Sequence, residues 1–173
     1  MRMLESKNVV IWLTGLPCSG KTTLANTFIK SHPNFVLLDG DNVRKYISSD
    51  LDFSLESRQE NIRRVASFAK LLLDQNISSI VSILSPLESY RNLAKDIIGD
   101  SFKLIYLDTA LDICERRDVK GMYKKARQGD IKDFTGIDSP YEKPTTPDLT
   151  LNTHTETIND CLGKIEKLIE QKQ

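Results

Sequence analysis

The sequence predicts an α/β fold in which a parallel sheet is covered by helices on both faces, and three observations carry that reading. Short β-rich runs alternate along the chain with longer helical stretches. The first run, Val9-Val10-Ile11-Trp12-Leu13, is apolar at every position, as a strand buried on both faces requires. A glycine-bracketed motif, GLPCSGKT from Gly15 to Thr22, then joins that strand directly to helical sequence. Strands separated by helices imply right-handed crossovers and therefore a parallel sheet.

The elements follow in order. Lys21 to about Ser31 reads as a helix stopped near Pro33. Phe35-Val36-Leu37-Leu38 is a second strand, closed by the turn-forming Asp39-Gly40-Asp41-Asn42, where Asp41 or Asn42 suits the cap of a following helix. From Ser57 to Asp74 the residues Ile62, Val65, Ala66, Ala69, Leu72 and Leu73 recur at three- and four-residue steps. They predict an amphipathic helix, with Ser57 and Glu60 spaced as a capping box. Ser79 to Leu84 is a third strand and Leu87 to Ile98 a helix. Lys103 to Leu107 is a fourth strand, followed by a short helix from Ala110 to Arg117. Residues 118–147 hold few apolar side chains and are too long for an ordinary connection, so they read as a functional loop or lid. Asp148 to Leu151 is a last short strand. Ile158, Cys161, Leu162, Ile165, Leu168 and Ile169 mark one face of a closing helix.

The chain has 173 residues, 39% of them hydrophobic and 28% charged, which suits one globular domain over residues 1–173. Its 24 basic and 24 acidic residues cancel, which argues against a nucleic-acid partner. No apolar run approaches the roughly 20 residues that span a bilayer, and the N-terminus lacks the pattern of a secretory leader, so no membrane partner is expected. Cys18, Cys114 and Cys161 fit neither a disulfide framework nor a zinc site, and His32 and His154 are isolated. The cysteines read as small, partly buried side chains in a cytoplasmic, reducing compartment.

GLPCSGKT matches the phosphate-binding pattern G-x-x-x-x-G-K-[ST] in its proper place between strand and helix. Gly15 and Gly20 permit close backbone approaches, so that N–H groups can face phosphate oxygens at a helix N-terminus. Lys21 suits the β- and γ-phosphates of ATP, and the Thr22 hydroxyl suits Mg²⁺. LDGDNVR, Leu38 to Arg44, lies just beyond the second strand, at the sheet end where ligands collect. Asp39 is a candidate for holding the metal and Asp41 for orienting an acceptor hydroxyl. The loop alone identifies a nucleotide-binding protein; the length, without a base-reading NKxD motif, favours a compact kinase.

LDGDNVR, FSLESRQENIRRVASFAKLL (Phe53 to Leu72), LSP (Leu84 to Pro86) and RDVKGMYKKARQGDIKDFTGIDSPYEKP (Arg117 to Pro144) together resemble the adenylylsulfate kinase family. The resemblance runs from Val10 to about Thr153. It implies a three-layer P-loop kinase fold with a five-stranded parallel sheet and a basic lid, a Mg²⁺ requirement and a homodimer. The implied reaction moves the γ-phosphate of ATP to the 3′-hydroxyl of adenosine 5′-phosphosulfate. By the same resemblance Gly15, Leu16, Pro17, Cys18, Ser19, Gly20, Lys21, Thr22 and Thr23 hold the ATP phosphates and magnesium, with the adenine near Arg116 and Asn152-Thr153. Asp41 acts on the acceptor hydroxyl, and Asp41, Asn42 and Val43 contact the substrate. Arg44, Phe53, Arg58, Asn61, Leu84, Ser85, Lys120, Asp133 and Phe134 grip the sulfonucleotide. Ser85 occupies the position of a serine sometimes described as a phosphorylated intermediate, although in-line transfer between two bound nucleotides needs no such step.

The residue types support several of these roles independently. Arginine is the natural fork for phosphate or sulfate oxygens, and Phe53 and Phe134 suit the two faces of an adenine ring; the competing reading of Phe53 is a hydrophobic staple. Between Arg116 and Lys132 lie seven bases against two acids, and a local charge of +5 suits a flap over polyanions. Three positions depart from the family pattern. Leu87-Glu88 follows Ser85-Pro86 where S-P-[YF]-R is usual, Asp52 replaces the glycine of L-G-F, and Pro17-Cys18 replace small residues. Arg91 stands near enough to substitute for the missing arginine, and arginine at position 88 is expected to lower the KM. The competing readings are a kinase for another nucleotide or sugar hydroxyl, and a regulatory module that binds ATP with little turnover.

Overall fold

The structure, a computed structural model, describes residues 8–170. The N-terminal residues 1–7, part of the stretch read above as lacking a leader pattern, and the last three residues lie outside the described residues.

Five strands, β1 (Val10–Thr14), β2 (Phe35–Asp39), β3 (Ser78–Ser82), β4 (Phe102–Leu107) and β5 (Leu149–Leu151), form one sheet in the order β2-β3-β1-β4-β5. Every neighbouring pair is parallel. The helices are α1 (Lys21–Ser31), α2 (Gly40–Tyr46), α3 (Leu55–Asp74), α4 (Glu88–Ile98), α5 (Leu111–Arg117), α6 (Met122–Arg127) and α7 (Ile158–Glu170).

Alternation along β1 divides the core into two layers. Val10 and Trp12 face a cluster with Val43 of α2, Ile62, Val65, Ala66 and Ala69 of α3, and Ala94 and Ile98 of α4. Ile11 and Leu13 face Leu24, Ala25 and Phe28 of α1 and Cys161 and Ile165 of α7. The three-layer reading therefore holds, and β1, between β3 and β4, is the buried centre from which the phosphate loop leaves.

The differences from the sequence reading sit at element ends. β3 stops at Ser82, the last residue that pairs with both neighbours, Leu13 of β1 and Asp39 of β2; β1 runs one residue further only against β4. Ile83 and Leu84 therefore leave the ladder. α3 starts two residues earlier than expected, capped by the Ser54 hydroxyl, which accepts from Ser57 N–H at 3.2 Å. The Ser57–Glu60 capping box is thus incorrect, and Glu60 instead accepts from Arg63 at 2.7 Å and Arg64 at 2.9 Å. α2 starts at Gly40, so its cap is neither Asp41 nor Asn42 but Asp39, whose carboxylate accepts from Asp41 N–H at 3.1 Å. The 118–147 stretch is not all loop: Asp118 accepts from the N–H groups of Tyr123 and Lys124 and so starts α6. Cys114 and Cys161 are fully buried, more than expected, and Cys18 is half-buried; all three are free thiols.

Candidate active site

Gly15 follows β1 at a point with no room for a side chain. A Cβ there would lie 2.7 Å from Ser19 Oγ and 2.9 Å from the Leu107 carbonyl oxygen. Gly20, with φ 101°, is the left-handed residue that starts α1. Between them the loop is held from outside by its carbonyls. Tyr123 Oη donates to Pro17 O at 2.9 Å, Arg117 to Cys18 O at 3.2 Å, and Thr153 Oγ1 to Ser19 O at 2.7 Å. In a trans peptide a carbonyl and the following N–H point in opposite directions, so these bonds turn the N–H groups of Cys18 and Gly20 inward. That is the anion nest the motif calls for.

Lys21 lies within this nest and is only 9% exposed. Its ammonium donates to the carbonyls of Gly15 and Leu16, each at 2.7 Å, and to Ser19 Oγ at 3.3 Å. Burial pulls its pKa down from the ordinary 10.5 to about 8. A bound polyphosphate favours the charged form and raises that pKa again. Nucleotide binding at pH 9 is therefore expected to take up close to one proton, and at pH 7 almost none. Calorimetry in buffers of different ionisation enthalpy reads this directly; equal uptake at both pH values would refute it.

Thr22 Oγ1 donates to Asp39 Oδ2 at 3.2 Å and lies 3.4 Å from Ser82 Oγ. The donors are all oxygen, with one carboxylate, at the exposed start of α1. Such a set fits a small hard cation that keeps several waters and shares phosphate oxygens. Among the described residues no cluster of three or more His, Cys, Asp or Glu offers a self-contained cage, as a phosphate-shared ion would not need one.

Across from the loop, Asp41 forms an ion pair with Lys120 of the 118–147 segment, and the pairing holds the Lys120 pKa above its ordinary value. Arg58 of α3 ties the middle of that segment. Its guanidinium donates to Phe53 O at 2.9 Å, Asp133 O at 2.5 Å and Thr135 Oγ1 at 3.2 Å. One arginine thus brings the Phe53 and Phe134 segments together. Phe53 is 70% exposed, too open for a staple, with the Arg44 guanidinium 4.8 Å from its ring centroid. Arg44 itself donates to Leu51 O at 3.2 Å and Asp52 O at 2.7 Å, and burial with nearby Arg58 lowers its pKa. Phe134 packs edge-on against Tyr123 at 4.9 Å. Asn61 is 6% exposed, and its Oδ1 has no hydrogen-bond partner among the described residues. A buried acceptor without a donor is costly unless something supplies one, a state Asn61 shares with Ser48 Oγ, Ser79 Oγ and Arg91 Nε.

Several expected site residues stand elsewhere. Val43 is 3% exposed and belongs to the core under β3, because it points inward from α2. Asn42 is exposed. Arg116 pairs with Asp112 of its own helix at 3.2 Å; its neighbour Arg117 reaches the phosphate loop and also bonds Thr153 at 2.9 and 2.8 Å. A rotation of one residue on α5 decides between them, and the run of two arginines carried no signal for that choice. Of the seven bases, Arg117 and Lys120 bond within the site, Arg127 pairs with Glu115, and Lys124, Lys125 and Lys132 are exposed. Asp133, with φ 57°, contributes its carbonyl rather than its carboxylate to Arg58. Thr23 is exposed on α1's first turn and Leu84 is half-buried just past β3.

Ser85 is fully buried. It accepts from Trp12 Nε1 at 3.1 Å, its hydroxyl donates to Thr14 Oγ1 at 3.2 Å, and Thr14 Oγ1 lies 3.0 Å from Tyr141 Oη. A hydroxyl so engaged is not presented for phosphorylation. Ser85→Ala is accordingly expected to retain turnover to within about tenfold and to lose stability, since it unpairs a buried indole N–H worth about 1–3 kcal/mol. Steady-state rates and a thermal melt test both halves. A cavity of about 580 Å³ lies beyond β4, between Leu16, Tyr106, Leu111 and the segment 136–143. Among the expected site residues only Leu16 lines it; the expected acceptor residues Asp41, Arg44, Arg58, Asn61 and Lys120 stand elsewhere, on α2, α3 and the 118–135 segment.

Comparison with known proteins gives a consistent result. Residues 7–152 match the family model described as adenylylsulphate kinase. An adenylyl-sulfate kinase from Clostridium acetobutylicum is 46% identical, with 98% of this chain and 87% of the relative covered. The structure of Mycobacterium tuberculosis APS kinase CysC in complex with AMPPNP and APS superposes with a TM-score of 0.90 at 40% identity, covering 95% of this chain and 99% of that one. A hexameric APS kinase from Thiobacillus denitrificans matches with a TM-score of 0.72 at 26% identity, over 96% of this chain and 29% of its own.

Proposed function

The chain belongs to the adenylylsulfate kinase family, and we propose that its site transfers the γ-phosphate of ATP to the 3′-hydroxyl of adenosine 5′-phosphosulfate as follows. The chain is a kinase of the P-loop fold. The observation that carries the residue roles is the Asp41–Lys120 pair, which sets a carboxylate opposite the phosphate nest and ties it to the basic segment.

ATP phosphates lie in the nest of Gly15 to Thr23, with the inward N–H groups and Lys21 on the β- and γ-phosphates. Arg117 and Thr153, rather than Arg116, border the adenine side. Thr22 and Asp39 would hold magnesium, which when bound offsets charge on the β- and γ-oxygens. Asp41 accepts a hydrogen bond from the acceptor hydroxyl, aligns it for in-line attack and takes its proton. Lys120, released from Asp41, balances the charge on the transferring group. Phe53 and Phe134 border the acceptor adenine, while Asn61 and Arg44 supply buried polar contacts to the sulfonucleotide. The 118–147 segment acts as a lid that excludes water. Residues 1–173 act as one kinase domain. Three free thiols suit a reducing cytoplasm, and the assembly is a homodimer, which light scattering tests.

A coupled ADP-release assay with Mg·ATP and adenosine 5′-phosphosulfate tests the activity. The expected result is turnover with formation of the 3′-phosphorylated product. ATP binding without turnover on this substrate would overturn the proposal.

A further inference from the structure

We propose that Arg91, paired with Glu88, is a positioning residue that latches the 141–145 segment onto the start of α4 and thereby sets both the turn that carries Leu84 and the phosphate loop. The inference rests on the kinase reading above and goes beyond it, since neither residue belongs to the expected nucleotide or sulfonucleotide contacts.

Arg91 is 1% exposed, yet a guanidinium keeps its charge even in the core. One guanidinium nitrogen donates to Ser85 O at 2.8 Å. Another donates to Glu88 Oε2 at 2.5 Å and to Glu142 O at 2.8 Å. Tyr141 lies beneath, its ring centroid 5.8 Å from the guanidinium carbon. Further bonds close the junction on both sides. Thr145 Oγ1 donates to Glu88 Oε1 at 3.0 Å, Glu88 N–H to Glu142 Oε2 at 2.7 Å, and Glu142 N–H to Pro86 O at 2.8 Å. Three segments thus meet at one cation: the turn after β3, the first turn of α4 and the strap that continues the lid.

The junction is mechanically continuous with both halves of the site. Ser85 follows Leu84 and bonds Thr14, which immediately precedes Gly15. Upstream along the strap, Gly136 packs on the phosphate loop, where an added Cβ would lie 3.0 Å from Leu16 Cδ2. A buried guanidinium needs its counter-charge and acceptors. Glu88 and the Ser85 and Glu142 carbonyls serve both terminal nitrogens of Arg91, while its Nε has no partner among the described residues, so losing the strap's carbonyl would leave the cation still less satisfied. A lysine, as a point charge, cannot serve acceptors placed around a planar fork.

This reverses two readings of the Glu88 departure. Arg91 does not substitute for an arginine at 88, because it is buried and already bonded. An arginine at 88 also does not improve the site: it sets a second cation against Arg91 and removes the acceptor of Thr145.

The test compares wild type, Arg91→Lys, Glu88→Arg and Glu88→Gln. Measurements are steady-state kinetics with both substrates and hydrogen–deuterium exchange of residues 134–147. Arg91→Lys and Glu88→Arg are expected to raise the KM for adenosine 5′-phosphosulfate and the KM for ATP, each about tenfold or more. Strap amides should exchange faster while α1 amides do not. Glu88→Gln, which keeps an acceptor for Thr145, should fall between them and wild type, and it carries the comparison if Arg91→Lys does not fold. Unchanged strap exchange and an unchanged acceptor KM, in an enzyme whose wild type turns over this substrate, would overturn the latch. A wild type without turnover would instead overturn the kinase reading, while the exchange data would still judge the latch.

Discussion

Lys21→Ala is expected to lower kcat/KM by about 10³-fold, the scale on which a preorganised cation or donor aimed at transferring charge acts. The geometry supports a loss of that size. The ammonium is already desolvated inside the loop, with burial lowering its pKa to about 8. Its attraction for a phosphate is therefore not spent on stripping water at the moment of transfer. In the free protein Lys21 donates to the carbonyls of Gly15 and Leu16. A phosphate takes over that role, and alanine supplies neither partner. Lys21→Arg is not expected to rescue, because a planar fork does not fit a nest sized for a compact ammonium. Rates measured beside nucleotide affinity check this. A variant with turnover within tenfold of wild type would remove Lys21 from the catalytic role.

Asp41→Asn is expected to reduce kcat by about 10²- to 10³-fold, in the range for loss of a positioned general base. Both substrate affinities should stay within about threefold. The split follows from where Asp41 sits. It is exposed on the first turn of α2, and its pairing with Lys120 joins two exposed side chains, so the pair adds little to stability. Asparagine still offers an oxygen to Lys120 but cannot take a proton. A thermal melt unchanged beside the lowered kcat would separate catalysis from folding. Wild-type kcat in the Asp41→Asn variant would show that the hydroxyl is activated elsewhere.

The parts of the site legible in sequence were those built from consecutive residues. Gly15 to Thr22 could be read because a loop of eight residues supplies its own nest, and the apolar run before it identified the strand that delivers it. LDGDNVR was legible for the same reason: the sheet end places Asp39 and Asp41 together whatever the rest of the fold does. The expected acceptor contacts Arg44, Phe53, Arg58 and Asn61 came through resemblance, because they lie on different elements and share no local pattern; of the four only Asn61 has an unpartnered buried atom.

The positions whose surroundings the sequence did not foretell share a different cause. Val43 and Asn42 differ by one residue, but a helix turns about 100° per residue, so one faces the core and the other solvent. Arg116 and Arg117 differ in the same way on α5. Ser54 displaced Ser57 as the cap of α3 because Asp52 holds Ser54 by its N–H at 3.0 Å and its hydroxyl at 2.7 Å. A choice among nearby polar residues is made by such local contacts, not by spacing.

By itself, then, the sequence determined the alternation of strands and helices, the phosphate nest and the pair of aspartates opposite it, since each depends on neighbours along the chain. Only the tertiary structure decided which arginine meets the loop, that Ser85 is buried and bonded to Trp12 and Thr14, and that Glu88 is the counter-charge of Arg91. The first two join residues 36 to 99 positions apart, while Glu88 and Arg91 stand one helical turn apart and take their meaning from burial of that turn against Glu142. Burial sets their meaning: a charge or hydroxyl taken from water must find its partners in whatever the fold brings near.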